Sequence, residues 1–275
     1  MGVLEDKVAI VTGSGRGIGR ATAELLSSQG ATVLINDLDA DAAREASDAI
    51  AGETAVYAGD LTKGDAPGEL VRTAIDAWGK VDIIVNNAGY TLDAPVHKLS
   101  DEWWGRILDI HLTVPFKIIR AAAPHLREPA KKEREQGIEV FRKIVNVSST
   151  SGMFGNPGQA NYAAGKLGIV GLTKTLAKEW GQFKINCNAV SFGFVETRLT
   201  AAKDGVNQME IDGEKVQLGI PDQLREMAKM FIPLGRPATP EEAAGGVFFL
   251  CSPWSNYVHG QVLNVTGGTS GGMMF

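Results

Sequence analysis

The hydrophobic residues of this chain fall into short, nearly continuous runs, and between the runs apolar positions recur at helical spacing. Within residues 8–12 and 81–85, for example, residues 8–11 and 83–85 are apolar at consecutive rather than alternate positions. Continuous apolarity is typical of strands that are covered on both faces, as they are in a parallel sheet. Residues 19–29, in contrast, carry Ala21, Leu25 and Leu26 on one helical face. The pattern therefore predicts strands and helices in alternation.

The same reasoning predicts seven strands and six helices along the chain. The predicted strands are residues 8–12, 32–36, 55–58, 81–85, 143–147, 185–190 and 262–265. The predicted helices are residues 19–29, 40–50, 69–78, 101–123, 159–180 and 241–251. Strands that alternate with helices indicate an α/β fold. We therefore expect a single domain over residues 1–275, built as a doubly wound parallel sheet of about seven strands with helices on both faces.

Two stretches interrupt the alternation. Residues 127–143 are crowded with charges, although a connection from a helix to a strand usually needs only about 2–6 residues. We predict that this stretch is a surface insertion, formed as a solvated extension of the preceding helix. Residues 193–233 have no clear strand periodicity, and a connection of that length is usually a lid or a substrate-binding segment. We therefore predict a substrate lid there.

Composition and charge exclude several classes of function. A net charge of −5 argues against a nucleic-acid or membrane partner, because nucleic acids and anionic membranes both attract a basic face. No apolar run approaches the roughly 20 residues that span a bilayer. Cys187 and Cys251 lack the spacing of a redox motif or metal site, and His97, His125 and His259 lack metal-ligand spacing as well. We predict a cytoplasmic protein with reduced thiols and no metal.

A glycine-rich turn follows the first predicted strand and precedes a helix. Glycines let the backbone approach a pyrophosphate closely, and the helix N-terminus supplies amides and the positive end of the helix dipole. The spacing, G-x-x-x-G-x-G, differs from the common G-x-G-x-x-G fingerprint. The candidate cofactor-binding residues of the turn are Gly13, Ser14, Gly15, Arg16, Gly17, Ile18 and Gly19.

Asp37 closes the second predicted strand and is the candidate for reading the adenine ribose of a dinucleotide. Its carboxylate can accept hydrogen bonds from the ribose hydroxyls, and it would repel a 2′-phosphate. Arg16 argues in the other direction, because a guanidinium there could pair with that phosphate. Since Asp37 ends the strand that faces the ribose, we expect NAD rather than NADP as the cofactor.

Tyr162 and Lys166 form the candidate proton-transfer pair. They lie four positions apart in a predicted helix and so share one of its faces. A nearby lysine cation favours the phenolate, so we expect Lys166 to lower the pKa of Tyr162 towards the working pH. Ser149 follows a predicted strand 13 residues earlier, where its hydroxyl could bind a substrate oxygen. Ser148 is the competing candidate for that role.

These motifs together resemble the short-chain dehydrogenase/reductase family over essentially the whole chain. The matching pieces, in order, are Thr12-Gly13-x-x-x-Gly17-x-Gly19, Asp60-Leu61, Asn86-Asn87-Ala88-Gly89, Ser149, Tyr162-x-x-x-Lys166 and residues 193–197. The resemblance implies a Rossmann-type fold and further cofactor contacts. The residues it adds to the cofactor site are Asp60, Leu61, Asn87, Ala88, Gly89, Val195 and Thr197, with Tyr162 and Lys166 at the nicotinamide ribose.

The chain departs from the family pattern in the long helix that precedes the catalytic serine. His111 stands where the family usually has an asparagine, whose backbone carbonyl helps to hold a water that links the lysine to solvent. Two interpretations remain open: His111 takes part in the proton relay, or it is a structural replacement. Phe192 stands where the family usually has a proline, which would fix φ, so we expect the entry to the nicotinamide loop to be either looser or braced by aromatic packing.

The resemblance is greatest to 3-oxoacyl-(acyl-carrier-protein) reductases, and it implies hydride transfer between nicotinamide and a carbonyl or secondary alcohol. A 3-oxoacyl-ACP or 3-oxoacyl-CoA substrate is the first hypothesis. A dehydrogenase of another secondary alcohol, such as a steroid, a sugar or a small alcohol, is the close alternative. A non-catalytic dinucleotide-binding regulator is a more distant one. The family also implies a homotetramer, or a homodimer.

Overall fold

The computed structural model describes residues 2–202, 208–211, 214–217, 219–220 and 222–269. The strands are β1 (Val8–Val11), β2 (Thr32–Asp37), β3 (Thr54–Ala58), β4 (Ile83–Asn86), β5 (Arg142–Ser149), β6 (Ile185–Phe192), β7 (Gln208–Ile211), β8 (Glu214–Gln217) and β9 (Val262–Val265). The α-helices are α1 (Gly17–Ser28), α2 (Ala40–Ala49), α3 (Ala66–Trp78), α4 (Asp101–Leu108), α5 (Val114–Glu135), α6 (Thr150–Phe154), α7 (Ala160–Trp180), α8 (Asp222–Met230) and α9 (Pro240–Cys251).

Seven of the strands form one parallel sheet in the order β3-β2-β1-β4-β5-β6-β9. The predicted fold class is therefore confirmed. Every residue of β1 and of β4 is buried, which explains why these strands are apolar at consecutive positions. The strand order reverses between β1 and β4, and such a reversal opens a crevice beyond the carboxyl ends of the two strands.

Helices cover both faces of the sheet and create two separate hydrophobic cores. On one face, α1, α2 and α9 pack against the strands, with Leu26 and Val247 among the buried residues. On the other face, α3, α5 and α7 do the same, with Ile118 and Leu176 buried. Because both faces are covered, a ligand can reach the sheet only at the ends of its strands.

The predicted helix over residues 101–123 is interrupted, and this prediction of one helix was wrong. The chain forms α4, then a π-helical turn over Asp109–Thr113, and then α5. Pro115 lies in the first turn of α5 and has no N–H to donate to the carbonyl of His111, four residues earlier. The extra residue of a π-turn shifts the helix face, and such turns are frequent at functional sites.

Residues 127–143 begin as the last turns of α5, which continues to Glu135, and residues 132 and 134–139 are exposed. The far end of the stretch is different, because Arg142 and Lys143 are buried at the start of β5. Arg142 makes a two-pronged ion pair with Glu133 at 2.7 and 2.8 Å. The helical extension is thus tied back onto the sheet by this pair.

Residues 193–233 contain secondary structure that periodicity did not reveal. The described part includes the antiparallel pair β7–β8 and the helix α8. Ala228 and Ile232 form a small third core with Phe194. The described part of this segment therefore has secondary structure and a small core of its own, and its function as a lid remains a prediction.

Gly19 is the glycine whose replacement we expect to be most disruptive to the first turn. A Cβ at this position would lie 2.1 Å from the carbonyl oxygen of Gly13 and 2.5 Å from Nδ2 of Asn87. Because both neighbours belong to a hydrogen-bonded loop, Gly19→Ala should lower the free energy of unfolding by about 1–3 kcal/mol, as overpacking does elsewhere. Urea unfolding measures this loss.

The matched control is Gly245→Ala in the exposed face of α9, where an added Cβ meets nothing within 4 Å. Alanine favours a helix over glycine by about 1 kcal/mol, so this variant should be as stable as the wild type or slightly more so. Equal destabilisation by the two substitutions would contradict the close approach at Gly19.

Candidate active site

A cleft of about 400 Å³ lies beyond the carboxyl ends of β1 and β4, at the reversal of the strand order. It is lined by the glycine turn, the end of β2, the loops after β3 and β4, the π-turn and the segment after β6. Its lining includes Gly13, Arg16, Gly17, Ile18, Gly19, Asp37, Asp60, Leu61, Asn87, Ala88, Gly89 and Thr197. Twelve of the predicted cofactor-binding residues therefore surround one cavity.

The glycine turn is held rigidly against β4 by hydrogen bonds. The hydroxyl of Thr12 accepts from the backbone amides of Asn87 and Ala88, each at 3.0 Å. The side-chain amide of Asn87 donates to the carbonyl of Thr12 at 2.9 Å. Gly13 has a φ of +61° and passes so close to Ala88 that a Cβ would lie 2.8 Å from its Cα. The loop after β4 thus fixes the shape of the turn.

The first turn of α1 faces this cleft without a capping side chain in the described part of the chain. Arg16 occupies the N-cap position and its side chain makes no cap hydrogen bond. Helix N-termini of this kind bind anions through their amides and the helix dipole. The cleft therefore has the hydrogen-bond donors that a dinucleotide pyrophosphate needs. Because the turn is rich in glycine, the pyrophosphate can come close to its backbone.

Ser14 and Gly15 do not line the cleft, although both were predicted to contact the cofactor. Ser14 is fully buried, and its hydroxyl donates to the carbonyl of Val11 at 2.7 Å and accepts from the amide of Asn36 at 3.0 Å. The amide of Gly15 donates to the carboxylate of Asp37 at 3.0 Å. Both residues join the turn to β2, where these polar groups are hydrogen-bonded inside the protein, and their contact with the cofactor remains a prediction.

Asp37 lines the cleft at the end of β2, where the sequence predicted it. One carboxylate oxygen accepts from Gly15 N and the other from Asp39 N, at 3.0 and 3.1 Å. Arg16, the residue that argued for a 2′-phosphate, is held by Asp39 in an ion pair of 2.9 Å. The guanidinium of Arg16 is thus already paired with a carboxylate, which weakens the argument for NADP.

Val195 also lies outside the lining, as do Tyr162 and Lys166. Val195 is 4% exposed and packs in the core that α1, α2 and α9 form with the sheet, and its backbone forms a β-bridge to Ala238. Thr197, two residues later, does line the cleft. Phe192 is buried in the same core at the end of β6, which favours a braced rather than a looser entry to this segment.

Ser149, Tyr162 and Lys166 come together beside the cleft. Ser149 ends β5, and the start of α7 brings Tyr162 close enough for the Ser149 hydroxyl to act on it as a hydrogen-bonding neighbour. Lys166 is buried one turn further along α7, and its Nζ donates to the carbonyl of Val147 at 2.7 Å. Its ammonium lies 5.6 Å from the centre of the Tyr162 ring.

Ser148, the competing candidate, is excluded by its orientation. The side chain is 2% exposed, and its hydroxyl donates to the backbone carbonyl of Lys166 at 2.7 Å. Successive residues of a strand point to opposite faces, so only one of the two serines can face the substrate side. Ser149 is the one that reaches Tyr162.

The electrostatics of the pair differ from the prediction. Burial raises the pKa of Tyr162 to about 12, with a further rise from Asp93 and an opposing effect of the Ser149 hydrogen bond. Burial also lowers the pKa of Lys166 to about 7. The expectation that Lys166 lowers the pKa of Tyr162 was therefore wrong for the protein alone, because desolvation disfavours the charged form of both groups.

His111 lies in the π-turn and packs edge-on against Tyr162, with ring centroids 4.9 Å apart. Its Nε2 is 2.7 Å from the carbonyl oxygen of Tyr90, and a carbonyl can only accept, so Nε2 carries the proton. Nδ1 is then a buried acceptor that no described residue supplies with a donor. Burial lowers the pKa of His111 well below its usual value, and the charge of Lys166 lowers it further.

Several residues of the site carried no sequence signal. Tyr90 provides the acceptor for His111, Asp93 acts on Tyr162, and Arg198 lines the cleft. Asn161 is fully buried, and its side-chain amide donates to the carbonyls of Leu92 and Trp103, so it positions the start of α7. Only Asn161 could have been suspected, because it directly precedes Tyr162.

Comparisons with known proteins agree with this geometry. A family model described as "Enoyl-(Acyl carrier protein) reductase" matches residues 13–270. The 3-oxoacyl-(acyl-carrier-protein) reductase of Thermotoga maritima is 38% identical over 268 residues, which cover 96% of this chain and 98% of that protein. The enzyme of the same name from Vibrio cholerae is 37% identical over 265 residues, with 96% and 98% covered.

A solved structure agrees as well. It is that of a candidate NAD(P)-dependent gluconate 5-dehydrogenase from Beutenbergia cavernae with NADP bound at low occupancy, and it superimposes with a TM-score of 0.82 at 32% identity over 96% of this chain and 97% of that one. The chain belongs to the short-chain dehydrogenase/reductase family. As a member of this family it is an oxidoreductase that binds a nicotinamide dinucleotide.

Two further features of this short-chain dehydrogenase/reductase concern ions and membranes. Among the described residues, no cluster of three or more His, Cys, Asp or Glu side chains could hold a metal ion. None of the described helices combines the length and the apolarity that a bilayer span requires.

Burial of Lys166 should make the stability of the enzyme depend on pH. Lys166 binds a proton up to about pH 7 in the folded protein, against an ordinary pKa of 10.5. Between these values the unfolded chain binds more protons, so this residue's cost to stability is greatest below pH 7 and shrinks as the pH rises. Lys166→Met should therefore raise the free energy of unfolding, by about 2 kcal/mol near pH 6, and much less near pH 10.

Urea unfolding of the two proteins at pH 6, 8 and 10 measures this difference. Lys174→Met, in the exposed face of the same helix, is the matched control and should change little at any of these pH values. A Lys166→Met protein that is no more stable than the wild type at pH 6 would mean that the buried ammonium is not a cost.

Proposed function

We propose that this enzyme reduces the 3-keto group of an acyl thioester, carried by acyl carrier protein or by coenzyme A, with NADH as the hydride donor. The observation that carries the oxidoreductase assignment is the meeting of Ser149, Tyr162 and Lys166 beside a cleft with dinucleotide chemistry. The substrate assignment is supported by relatives that are 35–38% identical and are named 3-oxoacyl-(acyl-carrier-protein) reductases.

In the proposed mechanism Tyr162 donates the proton that the substrate oxygen takes up. Its raised pKa keeps the phenol protonated at neutral pH, which is the form that a proton donor needs. The Ser149 hydroxyl orients the same oxygen, because it lies at the end of β5 next to the Tyr162 hydroxyl. The dinucleotide, when bound, supplies the hydride.

Lys166 has two functions in this proposal. With a pKa of about 7 it can exist in both protonation states near neutral pH, so it can replace the proton that Tyr162 loses. When protonated, it also stabilises the phenolate that proton transfer leaves behind. Its bond to the Val147 carbonyl keeps Nζ in one position throughout. Lys166 is also the residue that we expect to bind the nicotinamide ribose.

We propose NAD rather than NADP as the preferred cofactor. The carboxylate of Asp37 lines the cleft at the end of β2, where it would accept from ribose hydroxyls and repel a 2′-phosphate. Arg16, which could pair with that phosphate, is matched by Asp39 at 2.9 Å. The bound NADP in the Beutenbergia protein belongs to that protein, and its identity of 32% leaves room for a different preference here.

The second candidate function is NAD-dependent oxidation of another secondary alcohol, such as a sugar acid, a steroid or a small alcohol. The observation in its favour is the structural similarity to the candidate gluconate 5-dehydrogenase. A non-catalytic regulator is disfavoured, because a protein that only binds the dinucleotide has no need to keep a desolvated tyrosine and lysine together.

We propose that the enzyme forms a homotetramer, or a homodimer, in the cytoplasm. Large apolar side chains remain exposed on the helices that flank the site, with Trp104, Phe116 and Leu167 each 41–53% exposed. Large apolar side chains that remain exposed to this extent favour an interface between subunits. Both cysteines are free and buried, which suits a reducing compartment.

A substrate panel tests the function. Wild-type enzyme should reduce acetoacetyl-CoA with NADH. Its kcat/KM for NADH should exceed that for NADPH at least tenfold. Its kcat/KM for acetoacetyl-CoA should exceed that for 5-ketogluconate. Tyr162→Phe should lower the rate about 10²- to 10⁴-fold, which is the factor that a general acid contributes. The control is Tyr257→Phe, since Tyr257 is fully exposed. Equal rates for Tyr162→Phe and wild type would rule out the mechanism, and a preference for 5-ketogluconate would favour the second function.

His111 is proposed to be a positioning residue that stays neutral. Its Nε2–H holds the Tyr90 carbonyl and its ring supports Tyr162, while Lys166 and burial oppose its protonation. An asparagine amide could make the same donation. His111→Asn should therefore retain kcat within about tenfold of wild type, whereas His111→Ala should lose more, because it removes both the hydrogen bond to the Tyr90 carbonyl and the ring contact with Tyr162.

The pH profile of kcat distinguishes positioning from proton transfer through the imidazole. If His111 only positions its neighbours, His111→Asn should keep the shape of the wild-type profile between pH 5 and 9. Failure of both variants, together with loss of one limb of that profile, would assign the proton relay to the imidazole itself.

A further inference from the structure

Arg198 lies in the segment after β6, and its side chain lines the cleft together with the glycine turn. The segment is held by its own hydrogen bonds: the amide of Thr197 donates to Oγ1 of Thr200 at 2.9 Å, and that hydroxyl donates to the carbonyl of Val195 at 2.5 Å. The methyl of Thr197 is 3.6 Å from the position of a Cβ on Gly17. The backbone therefore brings Arg198 beside the start of α1.

The charge of Arg198 is incompletely matched within the described residues, with none of which it forms an ion pair. Burial lowers the pKa of its guanidinium and the charge of Arg16 lowers it further, whereas Asp37 and Asp39 raise it. Both carboxylates have other partners, because Asp39 pairs with Arg16 and Asp37 accepts from the amides of Gly15 and Asp39. A guanidinium keeps its charge in proteins, so an anion in the cleft would offset its desolvation.

We propose that Arg198 binds the pyrophosphate of the dinucleotide and holds it against the first turn of α1. The inference rests on the proposed use of this cleft by NAD. It identifies a side chain that supplies positive charge to the phosphates, in addition to the amides of the helix N-terminus. Guanidinium groups bind phosphate oxygens in pairs, which adds orientation to the attraction.

The 2′-phosphate of NADP is the other phosphate that Arg198 could meet, since Asp37 and Asp39 act on its guanidinium, but the backbone contact of Thr197 favours the pyrophosphate. Thr197 approaches Gly17, which belongs to the turn that a pyrophosphate occupies in folds of this class. Asp37 stands at the ribose corner, and its negative charge disfavours a second phosphate there. Arg198 therefore acts on a part of the cofactor that NADH and NADPH share.

Binding measurements test the inference without relying on catalysis. Energy transfer from tryptophan to bound NADH or NADPH gives the dissociation constants of wild type, Arg198→Ala, Arg198→Lys and the control Arg44→Ala. Arg44 is exposed on α2, pairs with Asp41 and lies outside the cleft. Arg198→Ala should weaken binding of both nucleotides by about tenfold to a hundredfold, as the loss of a charge-assisted hydrogen bond does.

The two nucleotides and the lysine variant give distinct outcomes. Arg198→Lys should recover part of the affinity, because it keeps the charge but not the paired donors, and Arg44→Ala should bind as the wild type does. Loss of affinity for NADPH alone would overturn the assignment to the pyrophosphate. Unchanged binding by Arg198→Ala would overturn the inference, while failure of the wild type to bind either nucleotide would instead overturn the proposed function.

Discussion

Desolvation of one lysine and one tyrosine is the constraint on which the rest of this structure depends. Lys166 is 3% exposed, and among the described residues its Nζ has one acceptor, the carbonyl of Val147. A buried ammonium in such surroundings is costly unless its geometry is tightly controlled. The fold provides that control through close contacts. A Cβ on Gly152 would lie 2.7 Å from the Cβ of Lys166, so only glycine lets α6 approach α7 so closely.

The same close packing accommodates His111, and it explains why the helix before the site is broken. A Cβ on Gly89 would lie 2.1 Å from the imidazole, and one on Gly165 would lie 3.1 Å from the Cβ of His111. The ring therefore fills a slot between the loop after β4 and α7. The π-turn directs it there, because an uninterrupted α-helix would rotate the residues beyond it by a different amount.

Much of the fold could be predicted from the sequence, because strands buried on both faces are continuously apolar and helices between them are amphipathic. The break at residues 109–113 could not, since Ile107, Ile110 and Val114 continue the helical spacing and a proline is tolerated in a first turn. Motif order located twelve residues of the cleft. It could not reveal that the Ser14 hydroxyl is hydrogen-bonded to Val11 and Asn36, because a motif names a residue without telling which way its side chain points.

The pKa of Tyr162 is the clearest case of what the sequence cannot supply. An i, i+4 lysine suggests a lowered pKa, yet burial disfavours the charged form of both members of the pair and raises the pKa of Tyr162. A phenol that holds its proton and a lysine that titrates near neutral pH together suit proton donation to a substrate oxygen. The positive charge that would stabilise the phenolate must therefore be present when the proton leaves. Because His111 is neutral and offers only an acceptor, that charge has to come from Lys166 and the bound dinucleotide.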